Sequence, residues 1–474
     1  MLFGSLQFLL FFLAVLAITW LCANNTLRKI ILVVASYLFY AYWDYRFLSL
    51  VIFVTLCAWG SSRLIETLAN ERQRRIVVVV SLALQLGVLG FFKYFNFFGD
   101  SLAALVKTFG GHLDAPTLSI ILPVGLSFYV FHSICYTVDC YNGKLRSSEF
   151  SIIDVALYIA FFPQLIAGPI IRGHDFLPQL RAIPAWSSDR AAWGIRLFAI
   201  GFCYKYLLAD NLALIADPVF AAPDKWNGLA LWAGVASYYA QIYFDFAGYS
   251  WMAIGCAGLL GYILPVNFNF PYTALSTTEF WRRWHISLSS WLKDYLFIPL
   301  GGSRRGRPRY YANLFVTMGL GGLWHGASWN FAGWGLLHGV GLSVHKWITG
   351  ERPSTAVRLT TRVAQVAIAL AITQSLVMLL WVFFRAHSFG DSMTILAGMF
   401  GSRKGPGLQS VQITALALPL TLVALDGALG RLMEARSGPV SIPRFVYGAA
   451  IGLAIALALF ATVMANKPFI YFQF

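Results

Sequence analysis

Apolar runs follow one another along almost the whole chain with only short polar loops between them, and this succession leaves few folds open. A helix crossing a hydrocarbon core of about 30 Å takes about 20 mostly apolar residues. Runs approaching that length lie at 6–22, 30–42, 48–60, 76–92, 118–135, 152–171, 195–208 and 229–244. They resume at 252–265, 311–323, 328–344, 363–384, 411–425 and 445–464. Of the 474 residues 58% are hydrophobic and 12% charged, against about 45 to 50% and about 25% in an ordinary soluble domain. No soluble fold hides that much apolar surface. The expected fold is all-α, a polytopic transmembrane helical bundle, and the shorter runs, read as tilted, broken or re-entrant, bring the expectation to about 11 to 13 spans.

No long Pro/Ser-rich linker, repeat or soluble insert interrupts the pattern. The chain reads as one membrane domain over 1–474, with N-terminal helices in 1–117, a catalytic core in 118–345 and C-terminal helices in 346–474. The first run lacks a basic segment before it and a small-residue cleavage site after it, so it reads as a retained helix. Arg28 and Lys29 follow that run, and Arg63, Arg72, Arg74 and Arg75 lie two spans later. By the positive-inside rule both loops are expected in the cytoplasm and the N-terminus outside. The basic residues behind the net charge of +15 sit mostly in short loops between apolar runs, so a nucleic-acid partner is not expected and membrane lipid is. The six cysteines show no metal-ligand spacing and are expected as buried thiols, with no metal and no tightly bound cofactor.

Two segments are polar. Residues 168–190, with Arg172, His174 and Asp175, follow a run broken by Pro163, Gly168 and Pro169. Broken helices at membrane depth survive only when buried in protein or lining a wet cavity. Residues 271–310 combine charges with tryptophans. On a helical wheel Trp281, Trp284, Leu288, Trp291, Leu292 and Tyr295 share one arc, opposite Arg283, Ser287, Ser290 and Asp294. This predicts an amphipathic helix at the membrane interface, with His285 at the margin of its apolar arc. The run 301–309 reads as a cytoplasmic loop.

An ionisable side chain inside the bilayer is expensive and is a functional candidate by default. His325 is the foremost. It stands in Gly321-Gly-Leu-Trp-His-Gly-Ala-Ser-Trp-Asn330 between two uncharged spans, among small residues that let a backbone or substrate approach. The alternative is a histidine satisfied by an interhelical hydrogen bond. His338 would sit about 220° away on a continuous helix, which suggests packing. A neutral imidazole can take the proton of a hydroxyl, as acyl transfer from a thioester to an alcohol requires. The developing oxyanion then needs a donor, and His285, Asn330 or backbone amides near Gly326 are candidates. Asp245 is the other isolated charge; it could orient a histidine, pair with an arginine of the basic segment such as Arg282, or serve a structural ion pair. For His132, His174 and Arg172 the functional and structural readings stay open. No Gly-rich nucleotide loop, HExxH or GxSxG occurs, which disfavours an ATP-driven pump, a zinc protease and a familiar serine hydrolase.

Six stretches carry a resemblance: Leu122-Pro-Val-Gly-Leu-Ser-Phe128, Phe161-Phe-Pro-Gln-Leu-Ile-Ala-Gly-Pro-Ile170, Tyr243-Phe-Asp-Phe-Ala-Gly-Tyr-Ser250, Asn267-Phe-Asn-Phe-Pro-Tyr272, Phe280-Trp-Arg-Arg-Trp-His-Ile-Ser-Leu-Ser289 and Gly322-Leu-Trp-His-Gly-Ala327. Together they resemble the membrane-bound O-acyltransferase family, in its branch of alginate O-acetylation and teichoic-acid D-alanylation proteins. The closing Pro468-Phe-Ile-Tyr-Phe-Gln-Phe474 and the length resemble the alginate type. Trp251 and His132 depart from that pattern.

The resemblance implies that His325 matches the family's catalytic histidine and His285 its second active-site histidine; Asp245, Asn330 and Arg282 remain candidate supports read from the residues themselves. It implies a tunnel across the bacterial inner membrane, acetyl-CoA or another acyl thioester as donor, a polysaccharide acceptor such as alginate or cellulose, and periplasmic partners of the SGNH-hydrolase type. The alternatives are D-alanyl transfer to a cell-wall polymer and a transporter or flippase, although the internal repeat expected of a transporter is not seen.

Overall fold

A computed structural model of the chain describes residues 1–113, 118–350, 363–401, 405 and 412–435. The expected span at 445–464 and the closing residues 468–474 lie outside the described residues. Every regular element among the described residues is helical. In chain order they are α1 (Leu6–Leu21), α2 (Asn25–Asp44), α3 (Leu48–Thr67), α4 (Glu71–Leu89), α5 (Phe95–Thr108), α6 (Leu126–Tyr141), α7 (Ile152–Ala160), α8 (Phe162–Leu165), α9 (Gly173–Phe176) and α10 (Ser188–Phe202). They continue as α11 (Asp210–Ala221), α12 (Gly228–Leu259), α13 (Thr277–Arg283), α14 (Ile286–Leu292), α15 (Arg307–His325), α16 (Trp329–Thr349), α17 (Val363–Arg385), α18 (Phe389–Phe400) and α19 (Gln412–Ala435).

Among the described residues four helical stretches have the length and hydropathy of membrane spans: Asn25–Thr67, Glu71–Thr108, Ser188–Ala221 and Val363–Arg385. The chain is thus an all-α, multi-pass membrane protein. The expected runs at 229–244 and 252–265 are not two helices: the 32-residue α12 runs from the first into residues 252–259 of the second, with Asp245 and Ser250 between them buried. The chain groups into two compact units, Met1–Phe198 with Trp251–Pro265, and Ala199–Ser250 with Val266–Phe474.

In the first unit, α1 buries Phe8, Phe12, Val15 and Thr19 and exposes Leu6, Leu9, Leu10 and Leu13. The inward residues keep a helical period while the outward face stays apolar, as lipid demands. α3 packs on α4, α6 and α7. Side chains satisfy the first amides of several helices: Asn24 Oδ1 accepts from Leu27 N at 3.0 Å, and Ser151 and Asp154 form a capping box on α7. Arg28 is fully buried, donating to Thr19 O at 3.0 Å and Leu260 O at 2.7 Å. Lys29 pairs with Asp154 at 2.5 Å. The two residues on which the orientation argument opened are therefore held by protein groups.

The run at 152–171 breaks as its Pro and Gly residues predict. α7 stops at Ala160 and the four-residue α8 follows. The Phe162 amide at the break donates to Ser36 Oγ at 3.1 Å, so the interrupted backbone is satisfied inside the protein. Gly125, at φ 73, opens α6; a Cβ there would lie 2.5 Å from Leu165 O, so only glycine fits.

The second unit is organised by an antiparallel hairpin of α15 and α16. Gly322 lies against the Phe331 carbonyl and Gly335 against that of Met318. Missing side chains let the two backbones touch. α17 and α13 pack on α16. α10 passes into α11 through a π-helical turn, Cys203–Ala209, and another, Lys293–Phe297, follows α14. Such widened turns are frequent at functional sites.

Candidate active site

The segment expected as one amphipathic helix is two. α13 ends at Arg283, Trp284 is extended, and His285 adopts a left-handed backbone at φ 42 before α14 begins. Left-handed backbone in a non-glycine residue costs energy and persists only where its surroundings enforce it. Two backbone bonds do so: Asn269 N to Arg283 O and Ile286 N to Asn267 O, each 2.9 Å. The break also overturns the interfacial position expected for the tryptophans. Trp284, Leu288, Trp291 and Leu292 are buried in the protein, because the helical wheel does not continue across His285.

His325 is the last residue of α15, and Gly326 turns the chain extended before Ser328 caps α16. Both histidines are buried. Their ring centroids lie 6.5 Å apart at an interplanar angle of 60°. That is too far for a direct hydrogen bond and suits one bridging group. Aromatic edges fix both rings. His325 meets Trp324 at 4.9 Å, Phe384 at 5.1 Å and Trp334 at 5.2 Å, while Phe246 meets His285 edge-on at 4.7 Å. Nδ1 of His285 lies 3.1 Å from Asn267 Oδ1, and Nε2 has no hydrogen-bond partner among the described residues.

His338 does not face away from this site. The helix on which that expectation rested stops at His325, and the hairpin folds His338 back onto the same tryptophan, its ring 4.8 Å from Trp334. Trp281 Nε1 donates to His338 Nδ1 at 3.3 Å, which agrees with a packing role. Asn330 directs its amide group elsewhere, donating to Ala386 O at 3.0 Å and reaching Ser392 Oγ at 3.5 Å. It thereby ties the start of α16 to the turn after α17.

Asp245 takes its cation from an apolar helix and not from the basic segment. Lys205, at 2% exposure, lies 2.6 Å from Asp245 and 2.8 Å from Asp210. This ion pair gives the structural reading of Asp245 a partner. Sequence reasoning overlooked Lys205, although a lone lysine within the apolar run 195–208 is itself a signal. It also overlooked Asn267, which lies 18 residues from His285 and gives no sign of the contact by spacing.

Arg282 is exposed beside a cleft of about 580 Å³ lined by Trp281, Arg282, Lys293, Thr317, His345 and Lys346. The cleft is cationic at its polar edge, and Trp281 connects its wall to the aromatic cluster around His325 through His338 and Trp334. In the first unit, His132 is buried against Tyr158 at 5.5 Å, and His174 pairs with Asp139 at 2.9 Å. Among the described residues no group of three or more His, Cys, Asp or Glu side chains could hold a metal ion.

Residues 139–382 match the model of the membrane-bound O-acyltransferase family. A Pseudomonas putida protein named probable alginate O-acetylase is 37% identical, with all of this chain and all of the relative covered. A peptidoglycan O-acetyltransferase of Helicobacter pylori is also 37% identical, over 80% of this chain and 75% of the relative. A teichoic acid D-alanyltransferase of Streptococcus thermophilus is 28% identical over 50% of this chain and 60% of its own. The all-helical membrane architecture, the family match through both histidine motifs and the end-to-end similarity lead to one conclusion: the chain belongs to the membrane-bound O-acyltransferase family and is an O-acyltransferase.

Proposed function

We propose that the chain takes an acetyl group from a cytoplasmic acyl thioester, acetyl-CoA in the simplest case, and passes it across the bacterial inner membrane for O-acetylation of an exopolysaccharide of the alginate or cellulose type. The observation that carries this reading is the pair of buried histidines facing each other at 6.5 Å, each ring held by aromatic neighbours. In the reaction, His325 removes the proton of an acceptor hydroxyl as its oxygen attacks the thioester carbonyl. The tetrahedral oxyanion collapses, the carbon–sulfur bond breaks, and His325 returns the proton to the departing thiolate. His285 holds the acceptor or steadies the oxyanion, and backbone amides near Gly326 are further donors.

The cleft lined by Arg282, Lys293 and Lys346 supports an anionic donor carrier, because a cationic rim concentrates such a ligand. Names of the full-length relatives support a carbohydrate polymer as the final acceptor, with periplasmic SGNH-type partners completing the transfer. The arginines at 63, 72, 74 and 75 support an orientation with the N-terminus outside. D-alanyl transfer has weaker support, since that relative covers half of the chain.

The test uses purified protein in proteoliposomes supplied on one face with acetyl-CoA labelled in the acetyl group. Release of free CoA with label appearing on an acceptor, lost in His325→Ala, is the expected result. A protein that releases CoA equally well without His325, or that accepts only a D-alanyl carrier, contradicts the proposal.

A further inference from the structure

We infer that Asn267 is a positioning residue that fixes the tautomer of His285, leaving Nε2 as a bare lone pair and so making His285 a hydrogen-bond acceptor that holds a second hydroxyl of the acceptor, beside the one His325 deprotonates, rather than a donor to the oxyanion. This deepens the proposed function and rests on it for the identity of the hydroxyl, but not for the tautomer.

The tautomer follows from counting donors at one atom. The Ser287 backbone amide, which can only donate, points at Asn267 Oδ1 at 3.3 Å. That atom is therefore the carbonyl oxygen and not the amide nitrogen. Ser287 Oγ donates to the same oxygen at 2.9 Å, and Asn267 Nδ2 donates to Ser250 Oγ at 3.1 Å, consistent with this orientation. An acceptor faces His285 Nδ1 at 3.1 Å, so Nδ1 carries the hydrogen and Nε2 in the neutral ring does not. Nε2 is buried with no partner among the described residues, and a buried acceptor calls for a donor. A hydroxyl between the two rings supplies one. His285 then holds the acceptor through that hydroxyl while His325 takes the proton of a neighbouring hydroxyl of the acceptor, the one that attacks. Asn267 also grips the backbone, since its carbonyl accepts from Ile286 N at 2.9 Å and steadies the left-handed turn at His285. Substituting its side chain leaves that second grip in place.

The experiment compares wild type, Asn267→Ala and Asn267→Asp, full length in nanodiscs, by two readouts. Protein labelled with nitrogen-15 in histidine, with the His285 signals identified by their loss in His285→Ala, reports the tautomer by NMR without any turnover. Acetyl transfer is measured on the same samples. Wild type is expected to show protonated Nδ1 and bare Nε2. Asn267→Ala is expected to mix the tautomers and lower transfer by at least about tenfold, since a wrong tautomer is costly in histidine catalysis. Asn267→Asp keeps an acceptor and is expected to restore the wild-type tautomer. If Asn267→Ala does not fold, Asn267→Asp and the wild type decide: Nε2 protonated in either overturns the inference, and bare Nε2 in both supports it. An unchanged tautomer in folded Asn267→Ala also overturns it. A fixed tautomer that depends on Asn267, in a protein that transfers no acetyl, would leave the positioning role standing and remove the proposed function instead.

Discussion

Lys205 Nζ lies 2.6 Å from a carboxylate oxygen of Asp245, with both side chains 2% exposed. The lysine is shared with Asp210, 2.8 Å away on the first turn of α11. One cation thus joins the π-helical turn Cys203–Ala209, α11 and the middle of α12. Charges this deep are tolerable only in company, and removing Lys205 takes a shared cation from two buried carboxylates.

Lys205→Met is accordingly expected to destabilise the protein by about 3–5 kcal/mol. Asp245→Asn, which leaves Lys205 paired with Asp210, costs less. Thermal unfolding in detergent measures the order. Equal melting temperatures for the two variants would contradict the shared-cation account.

Backbone contact in the α15–α16 hairpin gives a second prediction. A Cβ at Gly322 would overlap the carbonyl oxygen of Phe331, and one at Gly335 would overlap that of Met318, whereas at Gly333 nothing lies within 4 Å. A main-chain carbonyl cannot swing aside as a side chain can. Gly322→Ala and Gly335→Ala are expected to cost about 1–3 kcal/mol or more, and Gly333→Ala nothing measurable, by thermal unfolding of the purified variants. Because His325 ends α15, acetyl transfer in the first two falls with the hairpin.

The cationic cleft predicts a kinetic split. Arg282 and Lys346 line it, and each contact to an anionic donor carrier that persists from ground state to transition state affects binding alone. Arg282→Glu and Lys346→Glu are expected to raise the KM for acetyl-CoA by about tenfold and leave kcat nearly unchanged. The wild-type KM is expected to rise with salt. A fall in kcat with unchanged KM would place these residues elsewhere in the reaction.

His338 and His325 share the Trp334 ring but are expected to differ in substitution. His338→Gln keeps a polar group within reach of Trp281 and is expected to retain transfer within about threefold of wild type. Loss of activity in His338→Gln at normal melting temperature would give His338 a part in chemistry.

Membrane character and helical class were legible because lipid leaves so few options. Any ionisable residue among apolar spans stands out, and His325 does. The family resemblance supplied His285, which lies in a charged and tryptophan-rich stretch where rarity offers no signal. What sequence could not deliver were features set by a broken helix. The wheel drawn through 281–295 fails at the left-handed His285, and the angle drawn from His325 to His338 fails at Gly326. Asn267 and Lys205 act on partners 18 and 40 residues away, distances fixed by tertiary packing and not by any local period.

The most direct test of the account is the acetyl content of the secreted polymer. Wild type and His325→Ala are expressed in the native host lacking its own copy, membrane abundance is matched, and ester-linked acetyl is quantified by NMR. The account predicts that acetyl disappears in His325→Ala while the protein remains at normal levels in the membrane. Unchanged acetylation at equal abundance would contradict it and leave His325 as a packing residue of the aromatic cluster.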